Sequence, residues 1–188
     1  MGRTMIAGFG NVLRGDDGFG VVVVQRLAEL PRWQNCEEVV LLEVGTGGIH
    51  MAQELLGGYE RLIIVDAMTR GGSPGSVYVL EVDGVEAAQR VDMHLIIPAS
   101  ALSVAKALGA LPARVFMVGC EPAEVEELSL ELSVPVREAV EVAIHRIHAL
   151  IDSESLQSGQ SGQSGQSGES GCVDSAKLGA SHARQESL

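Results

Sequence analysis

Three residues combine the right chemical type with the right placement to act together. Asp17 stands in the run Gly8-Phe9-Gly10-Asn11-Val12-Leu13-Arg14-Gly15-Asp16-Asp17-Gly18-Phe19-Gly20, Asp66 closes Arg61-Leu62-Ile63-Ile64-Val65-Asp66, and His94 precedes a helical stretch. Two carboxylates and one imidazole suit a borderline divalent cation, with water completing the shell. No cysteine takes part, so the set differs from a closed structural zinc site. Nickel, zinc, iron and manganese all fit these ligand types, and spacing alone does not choose among them.

Each residue also has an ordinary reading. Asp66 could simply open a turn before Gly71-Gly72-Ser73-Pro74-Gly75, and a lone histidine is commonly structural or solvated. An aspartate at a helix start stabilises by about 0.5–2 kcal/mol through capping. Capping explains one acid easily, but not two wedged among the five glycines of the first run. Asp16 is therefore expected to cap or orient, and Asp17 to reach into a cleft. The glycines themselves call for a tightly turning backbone. A dinucleotide loop fits poorly: position 13 is Leu where GxGxxG needs a third glycine, and a pyrophosphate would face two carboxylates. His50, His145, His148 and His182 are less well placed, and His182 lies in a low-complexity tail.

The elements that must position these residues alternate along the chain. Strands are expected at Thr4–Gly8, Glu38–Val44, Arg61–Val65 and Arg114–Gly119, with a further edge strand at Ser76–Val82. Helices are expected at Gly18–Leu30, Ile49–Leu56, Ala99–Leu108 and Pro135–Ile151. The β-branched Val21–Val24 run argues for strand by propensity, but the preceding acids and the following QRLAEL favour helix. The alternation predicts an α/β fold, a three-layer α/β/α sandwich whose sheet is mostly parallel with one antiparallel edge strand. Ligands in such folds bind beyond the carboxyl ends of the strands, the face on which Asp17, Asp66 and His94 fall.

Composition bounds the partners. The 188 residues carry 13 Lys+Arg against 25 Asp+Glu, a net charge of -12, which disfavours nucleic acid and anionic membranes. No apolar run approaches the ~18–20 residues of a membrane span, and the N-terminus lacks the long apolar region of a signal peptide. Cys36, Cys120 and Cys172 are odd in number and widely spaced, which fits a reducing cytoplasm. Residues 157–171 read QSGQSGQSGQSGESG. The expected organisation is one domain over 1–151 and a flexible Ser/Gly/Gln-rich tail over 152–188.

The segment GFGNVLRGDDGFG resembles the N-terminal motif GxGNxLxxD[DE]GxG of the hydrogenase maturation endopeptidases. Further segments agree in order: Glu43-Val44-Gly45-Thr46-Gly47-Gly48, Leu62–Ala67 with Ser73-Pro74-Gly75, His94 before a helix, and Val118-Gly119-Cys120-Glu121-Pro122. The resemblance covers about 1–150. It implies an endopeptidase, historically grouped with the aspartic peptidases, that removes the C-terminal extension of a [NiFe]-hydrogenase large-subunit precursor. It also implies that cleavage follows nickel insertion and that the precursor's nickel is the recognition element, with no metal held permanently by the protease. Carried over one by one, the metal-contacting residues fall on Asp17, Asp66 and His94. The Met68–Gly75 loop is expected to face the precursor. The alternative is a non-enzymatic nickel-binding adaptor or metallochaperone using the same three residues. A stand-alone metalloprotease is disfavoured by the absence of HExxH.

Overall fold

The computed structural model describes residues 2–34, 36–82, 96–125 and 128–155. Strand β1 (Thr4–Phe9) leads through a 3-10 turn (Gly15–Gly18) into helix α1 (Phe19–Glu29). Strand β2 (Val39–Gly45), helix α2 (Gly48–Glu54), strand β3 (Arg61–Ala67) and strand β4 (Val77–Glu81) follow. Helix α3 (Ile96–Ala107), strand β5 (Arg114–Cys120) and helix α4 (Val134–Ser155) come last. The strands lie in the order β2-β1-β3-β5-β4. All neighbours pair in parallel except β4, which runs antiparallel on β5 at the sheet edge. The expected three-layer architecture is therefore observed.

Strand alternation explains the layers. Met5, Ala7 and Phe9 of β1, Leu62 and Ile64 of β3, and Val115 and Met117 of β5 join one core with Met51 of α2 and Leu102 of α3. The intervening Ile6, Ile63, Val65, Phe116 and Val118 join the other core, with Phe19 and Leu27 of α1 and Val140 and Ile147 of α4. Successive strand side chains face opposite sides, so an apolar run is needed where both faces are covered. Leu62–Val65 are fully buried, and each such side chain contributes about 1.5–3 kcal/mol relative to exposure. The same burial decides the Val21–Val24 run. Val23 and Val24 face the sheet from α1 and Val21 is also buried, and that packing outweighs their modest strand propensity.

Most boundaries differ slightly from the sequence expectation, and three of the differences have a clear physical reason. Helix α3 begins at Ile96, so Pro98 sits in its first turn, where a missing N–H costs nothing. Strand β3 continues through Asp66 to Ala67 because β5 extends beside it, pairing Asp66 with Gly119 and Ala67 with Cys120. Helix α4 runs past the compositional boundary at 151 to Ser155, and Asp152 pairs with Arg32. Residues 156–188, most of the expected tail, lie outside the described residues.

Candidate functional site

The chain leaves β1 through α1 to reach β2 on one side, then returns through α2 to β3 on the other side. The two helices cover opposite faces of the sheet. Connections that diverge in this way leave a crevice beyond the carboxyl ends of β1 and β3. Both described members of the predicted trio are delivered there.

Asp66 belongs to β3 itself. Pairing of β3 with β1 ends at Val65, opposite Gly8, while pairing with β5 continues. Asp66 thus stands one residue beyond its last β1 partner, where the crevice opens. It is 5 % exposed, and its Oδ1 accepts the Ala67 N–H at 2.9 Å. Asp17 arrives on the 3-10 turn, which packs against β3. Its Oδ2 accepts the Asn11 N–H at 2.9 Å.

Two glycines make this approach feasible. Gly10 has φ +116°, and a Cβ there would collide with the Asp17 carbonyl. A Cβ on Gly20 would collide with the carbonyls of Val65 and Phe9. The first turn of α1 therefore rests directly on the ends of β1 and β3, a backbone contact that glycine permits.

The neighbouring acid has a separate task. Asp16 is 1 % exposed. Its Oδ2 accepts the Ala123 N–H at 2.8 Å and the Ser133 hydroxyl at 2.8 Å, and its Oδ1 accepts the Ser133 N–H at 2.7 Å. It ties the glycine-rich loop to both ends of the segment joining β5 to α4. The orienting role expected of it is present, and the capping role is not. The N-cap of α1 is Gly18, with no side-chain cap, because both acids lie in the 3-10 turn before the helix begins.

His94 lies outside the described residues, which resume at Ile96. Among the described residues no group of three His, Cys, Asp or Glu side chains is arranged to hold a metal ion. His148, one of the alternatives, packs against Trp33 at 5.3 Å between ring centroids, at the opposite end of the sheet from the crevice. A groove of about 430 Å³ between α1 and α4, lined by Val22, Leu132 and Val140, includes neither Asp17 nor Asp66.

Two residues at the end of β5 complete the surroundings. Cys120 is buried, and burial together with the charges of Asp16 and Glu121 pushes its thiol up to about 12. It stays protonated and cannot serve as a thiolate nucleophile at neutral pH. Glu121 is 4 % exposed. Burial opposes its ionisation, but hydrogen bonds from the amides of Arg70, Gly71 and Gly72 and from the Tyr78 hydroxyl outweigh this and hold its carboxyl below the ordinary value. Sequence reasoning assigned Glu121 no role. Its signal was the one that marked Asp66, an acid directly following a buried strand.

The hydrogenase maturation protease family model matches residues 21–150, more than half of the chain. The chain belongs to the hydrogenase maturation protease family. The match includes Asp66 and His94 and begins just after the Asp17 loop. A hydrogenase expression/formation protein HupD from Rhizobium leguminosarum bv. viciae is 32 % identical over 145 residues, 76 % of this chain and 70 % of that protein. Among solved structures, the hydrogenase maturating endopeptidase HybD from E. coli superposes with a TM-score of 0.69 at 26 % identity, covering 81 % of this chain and 93 % of that one. A hydrogenase 2 maturation peptidase from Thaumarchaeota archaeon SCGC_AB-539-E09 gives 0.62 at 31 % identity, covering 80 % and 98 %. As a member of this family the protein is a peptidase acting in hydrogenase maturation. No helix of the described residues is long and apolar enough to cross a membrane.

Proposed function

We propose that this peptidase removes the C-terminal extension of a nickel-loaded [NiFe]-hydrogenase large-subunit precursor in the cytoplasm, and that Asp17, Asp66 and His94 read the precursor's nickel. The observation that carries this reading is the convergence of Asp17 and Asp66 on one crevice from separate strand ends. Each acid accepts from a backbone N–H. Such bonds orient a carboxylate without cancelling its charge.

In this scheme nickel belongs to the substrate. Docking on the metal fixes the precursor chain in the crevice and places the scissile peptide beside the two acids, a proximity effect. A water then attacks the peptide carbonyl. The nickel can polarise that carbonyl or the water as a Lewis acid, or a carboxylate can take the proton as general base. The buried thiol of Cys120 takes no part, since it remains protonated.

The test mixes the protein with the large-subunit precursor prepared with and without nickel and reads the precursor's intact mass. Loss of one discrete C-terminal peptide from the nickel-loaded form alone is the expected result. Equal cleavage of both forms would overturn the nickel gate. No cleavage, with nickel transferred to this protein, would favour an adaptor.

A further inference from the structure

Glu121 is a buried acid that the nickel-reading mechanism does not use, and its contacts all lead to one place. Its Oε2 accepts the Arg70 N–H at 2.8 Å and the Tyr78 hydroxyl at 3.0 Å, and its Oε1 accepts the Gly71 N–H at 3.1 Å. The Gly72 amide adds a further favourable interaction. Consecutive backbone amides thus converge on one carboxylate, the arrangement by which proteins bind anions. Here the anion is supplied by the chain itself.

The wrapped segment is the loop that leaves β3 after Ala67, the neighbour of Asp66. Its start is fixed by the Met68 N–H donating to the Cys120 carbonyl at 2.8 Å. Its end is fixed by the Gly75 N–H donating to the Glu121 carbonyl at 2.8 Å. Between these points Thr69–Pro74 is exposed, and the Glu121 side chain is the core around which it folds. Gly72 allows the wrap, because a Cβ there would collide with the Tyr78 hydroxyl. Arg70 lies over the Tyr78 ring at 5.5 Å and so is held on the outside of the loop.

We propose that Glu121 is a positioning residue that shapes the Met68–Gly75 loop into a fixed wall of the crevice, against which the precursor's peptide chain is laid. This rests on the reading that the crevice processes a precursor. Glu121 does not touch the reacting atoms. Asp66 is held by the β3–β5 ladder and by its own neighbour's N–H, so loosening the loop leaves the metal-reading acids in place. The effect falls on substrate binding rather than on turnover.

The test compares the full-length protein with Glu121→Gln and Gly72→Ala. The side-chain amide introduced by Glu121→Gln would present N–H to a backbone N–H or to the Tyr78 hydroxyl, and a lost bond to a charged acceptor corresponds to roughly 10–100-fold in an equilibrium. Amide hydrogen exchange is expected to quicken by about that factor at residues 70–72, with β1 and β3 amides unchanged. With nickel-loaded precursor, KM is expected to rise about tenfold in both variants while kcat stays near wild type. Gly72→Ala reaches the same loop without altering Glu121. Unchanged exchange at 70–72 in Glu121→Gln, or a fall in kcat with KM unchanged, would overturn the proposal. So would a general rise in exchange throughout the sheet in Glu121→Gln with none confined to the loop in Gly72→Ala. If wild type leaves the precursor uncut, the processing reading fails, and the absence of a substrate-binding difference in a direct precursor-binding assay then removes the wall as well.

Discussion

The two ends of the sheet hold their charged groups by different means. At the amino ends of the strands, acids meet arginines and rings. Arg32 pairs with Asp152 and lies 4.5 Å over Trp33, and Arg3 lies 4.5 Å over Tyr59, which donates to Glu54. At the carboxyl ends, Asp16, Asp17, Asp66 and Glu121 all accept from backbone N–H groups. An arginine neutralises an acid as well as holding it, whereas an amide only holds it. The carboxyl end therefore fixes its acids with backbone donors, and the amino end uses its charges for cohesion.

Substitutions at the two ends should break different properties. The largest effect is expected from Asp17→Asn and Asp66→Asn. Each should abolish processing of nickel-loaded precursor by intact mass while moving the melting temperature little. An equal loss of folding would erase the contrast between the two ends.

Asp16→Ala comes next and should act on stability. It leaves the Ala123 and Ser133 amides without their acceptor in a buried setting, and about 2–4 kcal/mol of destabilisation in urea unfolding is expected. A value near zero would mean that the 123–133 segment does not depend on this clamp.

Acid should separate the ends by pH window. Burial, with Arg32 and His145 nearby, lowers the His148 pKa below its ordinary 6.5, with Asp152 acting in the opposite direction. The unfolded chain then binds the proton more readily, so stability is complete above about pH 6.5 and declines below it. Glu121 is lowered from its ordinary 4.5, so its contribution is present above that value and is lost only as pH falls further. Urea midpoints measured from pH 7.5 downward should show a shallow first decline that His148→Phe removes and Glu121→Gln keeps.

The smallest effect is expected at the paired surface of the amino end. Arg32→Ala should cost no more than about 1 kcal/mol and should matter less in high salt, as exposed ion pairs do. Thermal melts in low and high salt would check this, and a large salt-independent loss would indicate that the Arg32 stem contributes mainly by packing on Trp33.

Much of the fold was legible because its signals are local. Leu62–Val65 can only be a strand covered on both faces, and the helical pattern after Gly18 survives its valines because the stripe matches a sheet-facing side. The antiparallel edge was legible from alternation in Ser76–Val82 after a glycine-proline turn. Where the expectation missed, the cause was a distant partner. Asp66 lies within β3 because β5 continues beside it, and α4 persists to Ser155, where Arg32 from another segment pairs with Asp152.

The site divides along the same line. Residue types and their positions after strands were enough to pick Asp17 and Asp66 as candidates for one crevice, since strand ends and helix starts in an α/β chain must share a face. That Asp16 would orient while Asp17 reached into the cleft was expected from the sequence, but the groups that Asp16 anchors were decided only in three dimensions. Asp16 is the anchor because Ala123 and Ser133, more than a hundred positions away, bring it donors. Glu121 became an internal anion for the same reason, through amides some fifty positions earlier in the chain. Local sequence sets which groups can ionise and which way an element runs. Only long-range packing sets which donors reach a carboxylate, and those donors decide whether it holds the fold or remains available to a ligand.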